Sequence, residues 1–290
     1  MTVMQVEALI NVIVERVKHI KGVKAIVLGG SYASNTQRPD SDIDIGLYYG
    51  SDQLLDIKAV RAVAQELNDF PDPTVTALGG WGTWVNGGAW LTIQGQRVDF
   101  LYRDLNFVTT TIDDCLHGKV ISDYWQQPAY GFHNFMYCTE TAICKPLYDP
   151  EYIIETLKTR INPYPLLLQK AIIKNFLWSV RFTLENMYKP AKRGEVYMVV
   201  GGLARAVHCL VQVLYALNKV YYLSEKRLAA DVAAFAIKPD NFVECITVLL
   251  GKIGTTGEQL QASIAAVEEL YAQVDQLGSD VLNQVADTNH

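Results

Sequence analysis

Apolar residues recur with a helical period over Val3 to Ile20, at Val6, Leu9, Ile10, Ile13, Val14 and Val17, so the spacing predicts an amphipathic helix with one buried face. The period then changes. Val23 to Leu28 is a short β-branched run that stops at Gly29-Gly30-Ser31, and a polar loop rich in Ser, Asn and Pro follows to Ser41. Asp42 to Tyr49 alternates, with Ile43, Ile45 and Leu47 on one face and Asp42, Asp44 and Gly46 on the other, the pattern of a half-buried strand. Leu54 to Leu67 returns to helical spacing. Beyond the Pro71-Asp72-Pro73 turn the chain reads as β again: Thr83 to Val85, Ala89 to Ile93 and Arg97 to Tyr102. Asn86-Gly87-Gly88 is expected to close a hairpin between the first two of these segments.

From about Tyr152 the pattern is helical throughout. Leu166 to Tyr188, Val196 to Leu217, Glu225 to Phe235, Phe242 to Leu250 and Glu258 to Val274 are separated by breaks at Pro190, Asn218, Pro239 and Gly251 to Gly257. The expected fold class is therefore α+β, a mixed sheet flanked by helices over residues 1–145 followed by an α-helical bundle over 146–290. The Pro-containing passages Lys145 to Pro150 and Asn162 to Pro165 mark the boundary. Gly278 to His290 reads as a frayed polar tail.

Composition narrows the function classes. Half of the 290 residues are hydrophobic and 19% are charged, which excludes a disordered chain. Twenty-five Lys and Arg against 31 Asp and Glu give a net charge of −6, which disfavours long nucleic acid as a partner, because that affinity comes from cations neutralising phosphates. A local phosphate site remains compatible. The N-terminus lacks the basic start and continuous apolar stretch of a signal peptide, and Arg205, His208, Gln212 and Lys219 interrupt the most apolar region, so no membrane span and a cytoplasmic location are expected. The five cysteines are odd in number and form no C-x-x-C pair, which points to free thiols.

The candidate chemistry lies in Gly29-Gly30-Ser31 and Asp42-Ile43-Asp44. Carboxylates at i and i+2 of a strand project from one face, and two like charges side by side need a cation or hydrogen bonds to compensate. Magnesium suits this, since it takes one or two carboxylates and fills its other positions with water and phosphate oxygens. The glycines let backbone approach a phosphate, and Ser31 adds a hydroxyl. Asp99, inside the apolar run Val98 to Leu101, is costly unless it faces a site, where it would be a metal ligand or a general base. Either motif alone is common on ordinary turns and solvated strands. The whole constellation is far more specific.

At these residues the chain resembles the DNA polymerase β-like nucleotidyltransferase superfamily, whose pattern is a Gly-Ser at the start of a helix, about ten further residues, an Asp-x-Asp strand and a third acid on a neighbouring strand. With its helical second half it is most similar to stand-alone antibiotic nucleotidyltransferases, which act on aminoglycosides or lincosamides, and to bacterial proteins of the same build. The resemblance implies a nucleotidyltransferase domain over 1–145, with 146–290 closing over nucleotide and substrate. It implies transfer of a nucleoside monophosphate, AMP from ATP as the leading case, onto a hydroxyl of a small molecule, with pyrophosphate released. Asp42, Asp44 and Asp99 would form the catalytic and metal-binding set, with two magnesium ions. Gly29, Gly30 and Ser31 would hold the nucleotide, and Lys226, in Ser224-Glu225-Lys226-Arg227, would supply a cation for the triphosphate, with Arg205 as the alternative. Relatives that complete their site with a second subunit make a homodimer compatible with this reading.

Other features carry less. Trp81 and Trp84 read more readily as packing than as an aromatic wall, and His133 more readily as a structural histidine than as part of an acceptor pocket with Glu140. Asp113-Asp114 resembles the first-turn acids of a helix. Two competing functions remain: the same chemistry on a protein side chain or an RNA end, and a non-catalytic module like the antitoxin partners built on a minimal version of the domain.

Overall fold

The computed structural model describes residues 3–125 and 130–287. Its chain divides into two compact units, Met1–Asp114 with Asn134–Pro163, and Cys115–His133 with Tyr164–His290. The strands are β1 (Val23–Leu28), β2 (Ile43–Tyr49), β3 (Thr74–Val75), β4 (Gly88–Ile93), β5 (Gln96–Asp104), β6 (Ser122–Asp123), β7 (Phe132–His133) and β8 (Lys145–Tyr148). The helices of the first unit are α1 (Val3–Val17), α2 (Gly30–Ala33), α3 (Ile57–Leu67), α4 (Leu105–Leu116), α5 (Met136–Ile143) and α6 (Ile153–Arg160).

The first unit is built on a six-stranded mixed sheet in the order β3-β4-β5-β2-β1-β8. Among these pairs β2 and β5 run parallel, and the other neighbours are antiparallel. The six periodic residues of α1 are all buried, in one cluster with Ile26 and Leu28 of β1, Ile43, Ile45 and Leu47 of β2, Phe100 of β5 and Val60 and Ala64 of α3. Burying each such side chain stabilises the fold by roughly 1.5–3 kcal/mol. Because side chains alternate along a strand, the residues between these core positions, Asp44 and Gly46 on β2 and Asp99 and Leu101 on β5, share the opposite face.

The second unit carries the ribbon of β6 and β7 and the helices α7 (Leu166–Lys192), α8 (Val196–Leu217), α9 (Leu228–Ala234), α10 (Phe242–Gly251) and α11 (Gly257–Asp287), with a 3-10 turn over Glu225–Arg227 before α9. Helices α7, α8 and α11 pack on one another. Among the described residues α8 is the one helix long and apolar enough to cross a membrane, and its C-terminal half is buried without interruption from Ala206 to Leu217.

Several expectations are corrected. Thr83 to Val85 forms turns, not a strand, so no hairpin closes at Asn86. The hairpin joins β4 to β5 through Gln94 (φ 53°) and Gly95 (φ 75°), the positive-φ pair that a tight two-residue turn demands. Lys145–Tyr148, a linker by composition, is the edge strand β8, where Pro146 is tolerated. Helix α7 passes Pro190 and ends two residues later at Lys192, so the proline falls in its last turn, and its missing N–H costs at most one hydrogen bond. Gly278 to Asp287 is helical rather than frayed, and 288–290 lie outside the described residues. A Cβ at Gly278 would sit 3.2 Å from both Ile173 and Leu177 of α7, so the glycine lets the two helices approach closely. Asp113 and Asp114 stand in the last turn of α4, not the first. The acid at its start is Asp104, whose Oδ1 accepts the Asn106 N–H at 2.9 Å, and Asp113 forms an ion pair with Arg160.

Candidate functional site

The polar face of the sheet is assembled by register. Parallel pairing places Asp44 of β2 directly beside Asp99 of β5. Asp42 stands just before β2, and its loop is tied to the start of β5: Gln96 Nε2 donates to the Ser41 carbonyl at 2.7 Å, and Arg97 Nη2 to the Asp40 carbonyl at 3.0 Å. Arg97 Nε also lies 2.6 Å from Asp42 Oδ1. That contact is an ion pair by distance without hydrogen-bond alignment, because the same Oδ1 is buried and accepts no hydrogen bond.

The Gly-rich turn packs on the same carboxylates. The Gly29 N–H donates to the Asp44 carbonyl at 2.8 Å, and α2 begins at Gly30. Gly30 has φ +55°, and a Cβ there would fall 1.8 Å from Asp44 Oδ2. Gly29 is different: its Cβ would meet Asp44 Cβ at an ordinary 3.5 Å. Ser31 follows in α2, half-buried.

Electrostatics sets these carboxylates apart from surface acids. Burial, reinforced by the charges of Asp99, Asp42 and Glu140, pushes the Asp44 carboxyl up to about 7, with Arg103 opposing. Burial and Asp42 push Asp99 up to about 6, with Arg97 opposing. The protein thus holds carboxyl groups where their charge is disfavoured, and a cation would relieve that. Asp42 Oδ1, buried with the Arg97 ion pair but no aligned hydrogen bond, and Asp44 Oδ2 against the Gly30 turn are oxygens that a divalent ion could take as ligands. No group of three or more His, Cys, Asp and Glu among the described residues is arranged to hold a metal by itself. Magnesium does not require one, since phosphate and water complete its shell.

Two participants escape sequence reasoning. Arg103, four residues beyond Asp99 and so on the same face of β5, is 6% exposed and grips Glu140 of α5 with two hydrogen bonds of 3.0 Å. The i, i+4 spacing on the strand was the available signal, but an Arg following an apolar run reads as a strand end. Glu140 therefore stands in a fixed ion pair whose two charges act on Asp44. Arg97 is the other, and its pairing with Asp42 leaves no mark in the sequence because it depends on the fold bringing the start of β5 beside the loop before β2.

Of the remaining expected residues, Lys226, Arg205 and His133 belong to the second unit. Lys226 is exposed in the 3-10 turn of the second unit, beside Arg227, which pairs with Asp231. Arg205 is on an exposed face of α8, 5.1 Å over the Tyr124 ring. His133 is buried, with Nδ1 2.8 Å from Ser122 Oγ and Nε2 2.9 Å from His208 Nε2. Burial lowers it to about 4, so it is neutral near pH 7 and built into the second unit. Trp84 is packed, its carbonyl accepting the Tyr137 hydroxyl, while Trp81 lies tilted by 39° against Trp90 and keeps part of its surface exposed.

Residues 10–78 match the family model of the nucleotidyltransferase domain, a span that holds the Gly-Gly-Ser turn, Asp42 and Asp44. Over that stretch the chain is similar to nucleotidyltransferase domains. The matched domain supports, as a reaction class, the transfer of a nucleoside monophosphate from a nucleotide. No curated protein matches the chain. Among solved structures, a nucleotidyltransferase-like protein from Exiguobacterium sibiricum is similar at 10% identity and a TM-score of 0.48, covering 96% of this chain and 78% of that one.

Proposed function

We propose that the protein is a magnesium-dependent nucleotidyltransferase that moves AMP from ATP onto a hydroxyl of a small molecule. The observation that carries this reading is the in-register pair Asp44 and Asp99 beneath a Gly30 turn that tolerates no side chain. Asp42 and Asp44 hold the metal, which when bound neutralises charge on the triphosphate and acidifies the acceptor hydroxyl. The Gly29-Gly30-Ser31 turn lies against the phosphates, where a missing Cβ allows close approach. Asp99 takes the proton of the acceptor hydroxyl as its oxygen bonds to the α-phosphorus and the bond to pyrophosphate breaks. The Arg103–Glu140 ion pair fixes the polar face behind Asp44.

A small acceptor is favoured over RNA by the net charge of −6. A cytoplasmic setting suits four buried free cysteines, Cys115, Cys138, Cys144 and Cys209.

The test is pyrophosphate release with ATP, GTP, CTP or UTP against aminoglycosides, lincosamides and a metabolite extract. ATP with magnesium is expected to support turnover. Asp42→Asn and Asp44→Asn should lower it at least a thousandfold in a folded protein. Asp99→Asn should lose turnover to a similar degree yet keep magnesium–ATP binding, since its assigned role is proton transfer. Undiminished transfer by any of the three contradicts the assignment of that residue.

A further inference from the structure

A second concave site lies in the helical unit, and none of its lining residues belongs to the unit that carries Asp42, Asp44 and Asp99. Its volume is about 880 Å³, within the range of small-molecule pockets. One wall is a stripe of α7. Lys170, Lys174, Trp178 and Arg181 follow at the spacing that stacks side chains on one helix face. Arg205 of α8 enters from a second side, and Tyr271 and Asp275 of α11 from a third.

The charge there runs against that of the protein. Among the described residues four cations line the pocket against a single carboxylate, Asp275, in a chain whose net charge is −6. Lys170, Lys174 and Arg205 have no ion-pair partner among the described residues, and Arg181 has an exposed contact of 3.8 Å with Glu185. Like charges gathered without counter-charge are unfavourable unless an anion joins them. The aromatic surfaces point to a second property of the ligand. Trp178, in the middle of the cationic stripe, is 57% exposed, and Tyr271 faces the same space. The indole stacks on Phe182 with ring centroids 5.1 Å apart, and its remaining exposed surface between the cations offers a platform for a flat ring whose charged group the lysines hold.

We propose that this pocket binds a small phosphorylated molecule bearing an aromatic ring, a mononucleotide in chemical class. The size favours a small ligand, since it matches one nucleotide rather than a strand. The site would let a nucleotide bind without the metal-dependent carboxylates, and so act on the protein rather than serve as donor.

The probe is AMP in EDTA, titrated against the full chain by calorimetry and tryptophan fluorescence. We expect one AMP per chain with a fluorescence change. Affinity should fall at least tenfold in Lys174→Glu/Arg181→Glu and in Trp178→Ala, two variants on exposed positions whose folding is checked by circular dichroism. Ribose 5-phosphate, which keeps the phosphate and lacks the ring, should bind at least tenfold more weakly. Asp44→Asn should bind AMP as the unaltered protein does. No binding, equal affinity in the folded charge-reversed variant, or equal affinity for ribose 5-phosphate would overturn the proposal. So would loss of AMP binding in Asp44→Asn, which would return the signal to the carboxylate site. Binding of an oligonucleotide without AMP would assign the pocket to nucleic acid instead.

Discussion

At Gly30 the backbone sits at φ +55° with Asp44 Oδ2 where a Cβ would be, while Gly29 next to it has ordinary space. The two glycines therefore differ in kind, although they are adjacent and look alike in the sequence. Gly30→Ala is expected to reduce turnover at least a hundredfold, by displacing the Asp44 carboxylate or the turn, whereas Gly29→Ala should stay within about tenfold. Steady-state rates of the two variants decide it; equal losses would contradict the steric account. The carboxyl pKa values give a second residue-scale expectation. Asp44 at about 7 and Asp99 at about 6 bind protons in the folded protein at pH values where the unfolded chain, with its carboxyl near 3.8, has released them. Stability of the metal-free protein must then fall as pH rises from about 4 to 7, with roughly 4 kcal/mol as the upper bound for Asp44. Magnesium favours the charged form and should flatten that slope. Melting temperatures between pH 5 and 8, in EDTA and in magnesium chloride, check this, and identical slopes would contradict it. The three aspartates were legible because their spacing is preserved in one dimension. The ties of Arg97 to Asp42 and Arg103 to Glu140 were not, since each depends on which residues the fold brings together.

Elements follow the same division. The buried face of α1 was readable residue by residue, because a 3.6-residue period maps linear spacing onto one side of a cylinder. Ile13, 0% exposed, lies in the middle of that face. Ile13→Ala is expected to cost about 2–5 kcal/mol in denaturant unfolding, while a polar replacement at exposed Val12 should cost under about 0.5 kcal/mol. Comparable losses at both positions would overturn the assignment of the face. Turns were less legible. Asn86-Gly87 has the stronger hairpin signature, yet Gln94-Gly95 closes the hairpin, because Gly88 to Ile93 finds its partners in β5 and β3 rather than in Thr83 to Val85. Long-range pairing overrode local turn chemistry there. At Asp113 the sequence showed an acidic pair but not the direction of the helix around it, and the ion pair with Arg160 comes from a residue 47 positions away.

For the whole molecule, the sequence showed a sheet-bearing part and a helical part through a change of hydrophobic period. It did not show that 115–133 belongs with the helices and 134–163 with the sheet, because such an exchange of segments leaves no mark on composition. Net charge was similarly incomplete. A total of −6 averages over a carboxylate face on the sheet and a cationic pocket on α7, α8 and α11. The first of these bears the account's central claim, that Asp42 and Asp44 bind magnesium–nucleotide for chemistry on the protein's own sheet. The most direct measurement is calorimetric titration of magnesium with a non-hydrolysable ATP analogue into the intact protein and into Asp44→Asn, with folding of both confirmed. The account predicts magnesium-dependent binding by the intact chain, weakened at least a hundredfold by the substitution. With the magnesium-independent AMP pocket of the helical unit saturated beforehand, analogue binding that is unaffected by Asp44→Asn, or independent of magnesium, would contradict it.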